Sequence, residues 1–272
     1  MGGLNFDLLQ QLRETDFVCE LHHKPMIQIS ENSTLFCIHC AQERLNEKNK
    51  NIIEEKTDSH MKRSTYGWLS ELSLLADETI RDATFATYQE DEPETAVNKK
   101  RARMIAKDYL DGKVFNTIMS GLPGTGKSHL SMSILQAVND NSSPYRKCLF
   151  VSVDELMRRI KDSFSNRNAD YTEQILIERL GKADLLVLDD LGAETGAISS
   201  EKTATDFTTR TLYAVINARM NKPTIITTNL TSSELNRMYD QKLLSRMYRG
   251  AKAADSVITF KNTEDKRSGI VF

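Results

Sequence analysis

From residue 114 onward the chain is punctuated by short runs of β-branched and other apolar residues, at 114–120, 148–153, 184–188, 223–229 and 256–260. Runs that are nearly continuous, without apolar-polar alternation, mark strands buried on both faces. Between them the apolar residues recur at helical spacing. Leu130, Ile134, Leu135 and Val138 follow the first run. Helices are expected over 155–164, with Asp154 as its cap, over 171–180, 201–220 and 243–249, and one more over 96–110 ahead of the first strand. Strands alternating with helices give a parallel sheet covered on both faces, with any ligand at the carboxyl ends of the strands.

The first part of the chain has a different texture. Leu4, Leu8, Leu9 and Leu12 fall near one face if residues 1–16 are helical, while 25–29 and 34–36 suit two small strands. Residues 41–65 are charged and lack Pro and Gly, the pattern of a solvated helix or tether. Trp68, Leu69, Leu72, Leu74 and Leu75 then form an apolar patch that leads into the larger domain, and 90–94 is an acidic loop. Two domains are expected, 1–65 and 66–272, and no internal repeat is visible.

Composition narrows the partners little. The 272 residues carry a formal charge of −2, with 27% charged and 39% hydrophobic residues, so nucleic-acid contact would have to come from a local basic surface. No run approaches the ~18 apolar residues of a membrane span, and the N-terminus lacks a basic start with an apolar core. A cytosolic protein without a membrane partner is expected. Four cysteines, three of them within the first 40 residues, suit a metal in a reducing compartment better than a disulfide frame.

The most specific chemistry lies between the strand at 114–120 and the helix that follows. Gly121-Leu122-Pro123-Gly124-Thr125-Gly126-Lys127-Ser128 fits G-x-x-x-x-G-K-[ST] in strand-loop-helix context, a phosphate-binding loop. Glycines let backbone N–H groups close round an anion, and the helix start adds unpaired donors and its positive dipole end. The nucleotide-binding candidates are Gly121, Pro123, Gly124, Thr125, Gly126, Lys127, Ser128 and His129. Lys127 is placed to reach the β- and γ-phosphates and Ser128 to coordinate Mg²⁺. The run Asp184-Leu185-Leu186-Val187-Leu188-Asp189-Asp190 is a buried strand ending in two carboxylates, the Walker B form. Asp189 would hold magnesium and Asp190 would orient or deprotonate an attacking water. Asn229, at the tip of the strand over 223–229, is placed to touch the γ-phosphate or that water. Together these argue hydrolysis of a nucleoside triphosphate.

Cys19-Glu20-Leu21-His22, fourteen residues, then Cys37-Ile38-His39-Cys40 make a C-x2-H…C-x2-C arrangement in which two turns each offer two ligands to a tetrahedral Zn²⁺. His23 competes with His22 for the ligand role. Four protein ligands would leave no open position, so the site would be structural. On spacing alone the helix with Arg158, Arg159 and Lys161 is an exposed amphipathic one; with Phe164 and Arg167 it could also grip a single strand by phosphate pairing and base stacking.

From Ile80 to the chain end the sequence resembles the DnaC-type helicase loaders, relatives of IstB-type transposition ATPases within the AAA+ class. The resemblance lies in collinear segments at 83–88, 121–130, 151–157, 161–164, 185–194, 222–229 and 245–247. It implies an α/β AAA+ P-loop NTPase with a parallel five-stranded sheet. Only 23 residues follow Arg249, too few for a full C-terminal lid, which fits the family. Further implications are a sensor 1 role for Asn229, an arginine finger at Arg246 reaching the neighbouring subunit's ATP, and a sensor 2 arginine at Arg267. A finger in trans implies a ring or spiral homo-oligomer. Phe164 falls where such loaders contact single-stranded DNA, and the N-terminal part is the family's grip on the replicative helicase. Asp190 stands where many AAA+ proteins have Glu. The zinc-like cluster is similar to phage-type, prophage-type and DnaI-like versions.

The function implied is ATP-dependent loading of a hexameric replicative helicase onto single-stranded DNA, with ATP, Mg²⁺ and Zn²⁺ as cofactors. Two alternatives stand beside it: an IstB-like ATPase that delivers a transposase to target DNA, and a nucleotide-gated DNA-binding module with little turnover.

Overall fold

The computed structural model describes residues 13–29, 33–166, 171–193 and 206–266. The chain divides into two compact units, Met1–His60 and Met61–Phe272.

In the first unit, β1 (Arg13–Val18) pairs antiparallel with β2 (Pro25–Gln28). Residues 13–16, expected to end a helix, are therefore strand; the rest of that expected helix lies outside the described residues. Phe36 adds an antiparallel bridge to Ile27, whose N–H and C=O it engages at 2.8 and 3.0 Å. Helix α1 (Ile38–Met61) follows and buries none of its side chains, as its charge pattern requires. Lys50 and Glu54, one turn apart, make an ion pair at 3.9 Å.

The second unit begins with α2 (Trp68–Leu72). Leu74 then runs parallel beside Val151, receiving Ser152 N–H and donating to Phe150 O, both at 2.8 Å. Helix α3 (Pro93–Leu110) starts on a proline, which gives up no hydrogen bond at a helix's first position. The alternating elements come next: β3 (Thr117–Gly121), α4 (Lys127–Asn141), β4 (Cys148–Ser152), α5 (Val153–Ser165), α6 (Glu173–Lys182) and β5 (Leu185–Leu191). Then come α7 (Asp206–Ala218), β6 (Thr224–Thr228), α8 (Ser232–Met238), α9 (Gln241–Met247) and β7 (Val257–Phe260). Several expected boundaries move by one to three residues, and two moves have a clear cause. The first strand begins at Thr117, leaving Val114 exposed. Asp154 is not the cap of α5: the helix starts at Val153, directly after the last ladder pair Ser152↔Asp189, and Asp154 sits in its first turn.

The five strands form one parallel sheet in the order β4-β5-β6-β3-β7. Because successive side chains point to opposite faces, each strand feeds two cores. Leu149, Val151, Leu186, Leu188 and Ile226 enter one, with Leu156, Ile160, Leu176, Leu212 and Val215 from the helices. Phe150, Leu185, Val187, Ile225 and Ile258 enter the other, with Ala102, Ile105, Leu130, Ile134 and Leu135. Each fully buried aliphatic side chain stabilises by about 1.5–3 kcal/mol, so both faces must be apolar, and the runs are continuous for that reason.

At the amino ends of β5 and β6, Arg219 is buried and donates to Leu180 O, Ala183 O, Pro223 O and Thr224 Oγ1 at 2.5–3.0 Å. Burial pulls its pKa down to about 9. Asn116 links the sheet to α9: its Nδ2 donates to Arg246 O and Met247 O, both at 3.0 Å, and its Oδ1 accepts from Thr224 N–H.

Candidate functional site

The loop between β3 and α4 is shaped by two glycines in the left-handed region, Gly124 (φ 74°) and Gly126 (φ 93°). The φ values alone call for glycine at both positions, and at Gly126 a Cβ would also run into the Tyr88 ring. Lys127 Nζ donates to Gly121 O at 2.9 Å and Leu122 O at 2.6 Å. Thr125 is buried, and its hydroxyl donates to Leu122 O at 2.9 Å. His129, one residue past Ser128, contacts Thr84 O at 3.0 Å and Thr87 Oγ1 at 3.1 Å, and burial lowers its pKa.

Beside this loop, β5 ends in a bulge. Leu188 pairs with Ile226 but Leu191 with Thr228, so β5 carries one residue more than β6 across that step. Asp190 takes the strain, with φ at +58°. The two threonines of β6 hold the bulge in place: Thr227 Oγ1 accepts Asp190 N–H at 2.8 Å and donates to Asp189 Oδ1 at 2.7 Å, while Thr228 Oγ1 donates to Leu191 O at 2.7 Å. Asn229 Nδ2 donates to Asp190 Oδ1 at 2.6 Å. Burial pushes the Asp189 carboxyl up to about 6, against hydrogen bonds from Thr227 and from Ser128. That last contact joins the hydroxyl after the loop lysine to the first carboxylate of β5, a pair of hard oxygen donors suited to Mg²⁺.

These groups converge on one cavity of about 600 Å³ whose walls include Pro123, Gly124, Gly126, Lys127, Ser128, His129, Asp189, Asp190 and Asn229. Its remaining wall comes from the segment between α2 and α3, including Asp77, Thr87, Tyr88 and Gln89, together with Lys266. The chain after β7 is drawn to this wall by α3: Glu94 accepts from Lys261 N, Asn262 N and Thr263 Oγ1, and Lys266 N donates to Gly124 O at 3.2 Å.

Arg246 does not line this cavity. It lies on α9 with its guanidinium 4.5 Å from the centre of the Tyr213 ring, and its Nη1 is buried with no hydrogen-bond partner among the described residues. Phe164 is 64% exposed and meets Phe207 edge-on at 5.8 Å. The arginines of α5 are engaged locally: Arg158 with Glu155 and Asp162, and Arg159 with Glu155. Arg167 and Arg267 lie outside the described residues.

In the first unit Cys19, His22, Cys37 and Cys40 place their ligand atoms within 4.8 Å of one another. Cys19 Sγ to Cys40 Sγ is 3.7 Å, and His22 Nδ1 lies 3.8, 3.8 and 3.3 Å from the sulfurs of Cys19, Cys37 and Cys40. Tetrahedral zinc, with bonds of about 2.3 Å to sulfur and 2.0 Å to nitrogen, sets edges close to these, so the donor set fits the ion. The two ligand pairs differ in form. Cys19 and His22 sit on a turn, whereas Cys37 and Cys40 flank the start of α1, not the second turn that was expected. His22 holds the ligand position; His23 is exposed in the left-handed region, and His39 stacks on His22 at 5.4 Å. His22 Nε2 lies 3.1 Å from Glu43 Oε1, the carboxylate support that metal-ligating histidines commonly have.

The family model described as IstB-like ATP binding protein matches residues 42–249. The chain belongs to this family. Among curated proteins it is 30% identical over 152 residues to the replicative helicase loader DnaC of Escherichia coli K12, which covers 55% of this chain and 56% of that protein. It thus spans little more than half the length of that relative. Among solved structures it is similar to DnaI, with a TM-score of 0.51 and 20% identity over 70% of this chain and 96% of that one. A putative primosome component from Streptococcus pyogenes serotype M3 gives a TM-score of 0.51 and 15% identity over 70% and 92%. The two structures share its α/β fold.

In this IstB-like protein the cysteine and histidine cluster and the chain after β7 both fall outside the segment that the family model matches. Sequence reasoning missed Thr227, Tyr88, Lys266 and Glu43. Glu43 lies three residues beyond Cys40, one helical turn, so a helix assigned at Ile38 would have pointed to it. The other three have no local signal: parallel register and the course of the chain after β7 bring them in. Among the described residues no helix is long and apolar enough to cross a membrane.

Proposed function

We propose that this protein binds and hydrolyses ATP and uses the cycle to load a hexameric replicative helicase onto single-stranded DNA. The observation that carries the ATPase half is the convergence of Ser128, Asp189, Asp190 and Asn229 beside the glycine loop in one cavity. The similarity to a helicase loader over 152 residues supports the loading half.

In this reading, magnesium bound with the triphosphate supplies positive charge that neutralises the phosphates as they separate. Ser128 and Asp189 would hold it, and Lys127 would leave its loop carbonyls for the β- and γ-phosphates. Asp190, steadied by Asn229, would orient the attacking water and take its proton. Arg246, with an unpartnered nitrogen and no place in its own cavity, would complete the pocket of the next subunit, which makes a ring or spiral the active form. The first unit, folded around zinc, would grip the helicase, and Phe164 would stack on a base of the single strand.

The family description equally fits delivery of a transposase, so the test must read the partner. The purified protein is mixed with the source cell's replicative helicase and closed circular single-stranded DNA, and unwinding of an annealed oligonucleotide is followed with and without ATP. Loading predicts unwinding that requires the protein and disappears with Lys127→Ala, which should no longer bind ATP. Normal ATP affinity in that variant removes the phosphate-loop assignment. Helicase activity indifferent to the protein, together with capture of a transposase, favours the rival. Slow, unstimulated turnover alongside ATP-dependent DNA binding favours the gated module.

A further inference from the structure

Tyr88 stands where three segments of the nucleotide cavity meet. Its residue is 4% exposed, and its hydroxyl is buried with no hydrogen-bond partner among the described residues. The ring packs edge-on against His129 at 5.3 Å, and the Lys266 ammonium lies 5.2 Å from its centre. Gly126 fixes its place on the phosphate loop: a Cβ there would lie 2.8 Å from Tyr88 Cε2 and 3.2 Å from its oxygen. The hydroxyl therefore faces the last glycine before Lys127.

A buried hydroxyl left without a partner is a net cost that phenylalanine in the same slot would not carry. Burial, followed by the nearby Glu92, Glu94, Asp91 and Glu90, pushes the phenol above its usual range, so it stays protonated and can donate. The oxygens that pass closest to Gly126 in a loop of this kind belong to a polyphosphate.

We propose that Tyr88 is a nucleotide-binding residue whose hydroxyl donates to a phosphate oxygen of the ligand held in the loop from Gly121 to Ser128. The inference rests on the nucleotide reading above and extends it to a residue outside the loop. It also gives the ligand a route to the chain after β7. Lys266 touches the same ring, hydrogen-bonds Gly124 through its backbone, and donates through Nζ to Gln89 O at 2.7 Å.

The test is Tyr88→Phe in the full chain, with binding of ATP and ADP measured by calorimetry and displacement of a fluorescent ATP analogue by inorganic tripolyphosphate. Loss of a hydrogen bond to a charged group should weaken ATP, ADP and tripolyphosphate alike by about 10-fold, while the ligand-free unfolding temperature stays level or rises. Undiminished ATP affinity overturns the proposal. So does a loss confined to ATP and ADP with tripolyphosphate unaffected, which would put the contact on the nucleoside. A fall in ligand-free unfolding temperature that accounts for the weaker binding would assign Tyr88 to packing and also overturn it. A wild-type chain that binds neither ATP nor tripolyphosphate overturns the nucleotide reading and this inference together; a wild type that binds both, matched by Tyr88→Phe, removes Tyr88 alone.

Discussion

Asn229 Nδ2 donates to Asp190 Oδ1 across 2.6 Å, so the side chain just past β6 holds the second carboxylate of β5. Asp190 needs that hold. It sits on a bulge at positive φ, where Thr227 accepts its N–H and strand pairing resumes at Leu191. Asp190→Asn and Asn229→Ala should each keep ATP affinity and lower the single-turnover hydrolysis rate, Asp190→Asn by about 10²- to 10⁴-fold as expected for loss of a general base. A wild-type rate in Asp190→Asn would assign water activation elsewhere.

Thr227 is the pivot of the same bulge. Thr227→Val keeps the shape but removes one donor from Asp189 and the acceptor from Asp190 N–H, at a cost of about 1–3 kcal/mol. Chemical denaturation should show a lower midpoint with an unchanged slope. Equal midpoints would mean that the bulge stands without those bonds.

Asp189 gives the site a pH dependence. Burial raises its carboxyl to about 6, above the unfolded value near 3.9. The neutral form is favoured in the fold, so this group's contribution to stability is complete below about pH 3.9 and is lost as pH rises through about 6. A divalent ion beside the carboxylate competes with that same proton. Magnesium affinity should therefore be level above about pH 6 and weaken by about tenfold per unit below it, read from magnesium-dependent thermal shifts with a non-hydrolysable ATP analogue. A flat profile from pH 5 to 8 in the wild type would remove Asp189 from the metal site.

The Nη1 of Arg246 is buried with no hydrogen-bond partner among the described residues, and the residue lies outside its own chain's cavity. Arg246→Ala should bind ATP normally and hydrolyse it about 10³-fold more slowly. Mixing it with Asp190→Asn should restore part of the turnover, because mixed neighbours pair an intact cavity with an intact arginine. Turnover that stays at the sum of the two separate variants would contradict a role in trans.

The cysteine and histidine cluster predicts one zinc per chain by elemental analysis of protein purified without chelator. Because His22 Nε2 lies 3.1 Å from Glu43, Glu43→Gln should weaken zinc by about 10- to 100-fold in a chelator competition. Unchanged zinc affinity would make Glu43 a bystander on α1.

Much of the molecule was legible before folding. Gly121 to Ser128 and the paired Asp189 and Asp190 are local spacings, and so are the two halves of the zinc cluster; each is set by residues a few positions apart. The continuous apolar runs announced strands buried on both faces, and all five were found in one parallel sheet. Element ends were less legible: Asp154 carried a capping signal, yet the ladder between β4 and β5 ends at Ser152 and the helix starts two residues earlier than expected.

What the sequence determined by itself is chemistry written at short range, where neighbouring residues act through one turn, one loop or one strand tip. Tertiary structure alone decided that β6 lies beside β5 with a one-residue slip, which brings Thr227 and Asn229 onto the two carboxylates. It also decided that Tyr88 and Lys266, 178 residues apart, close over the same glycine loop. The reason is physical: a strand's apolar face specifies that it will be buried, but many partners and registers bury it equally well, and only packing of the whole unit selects among them.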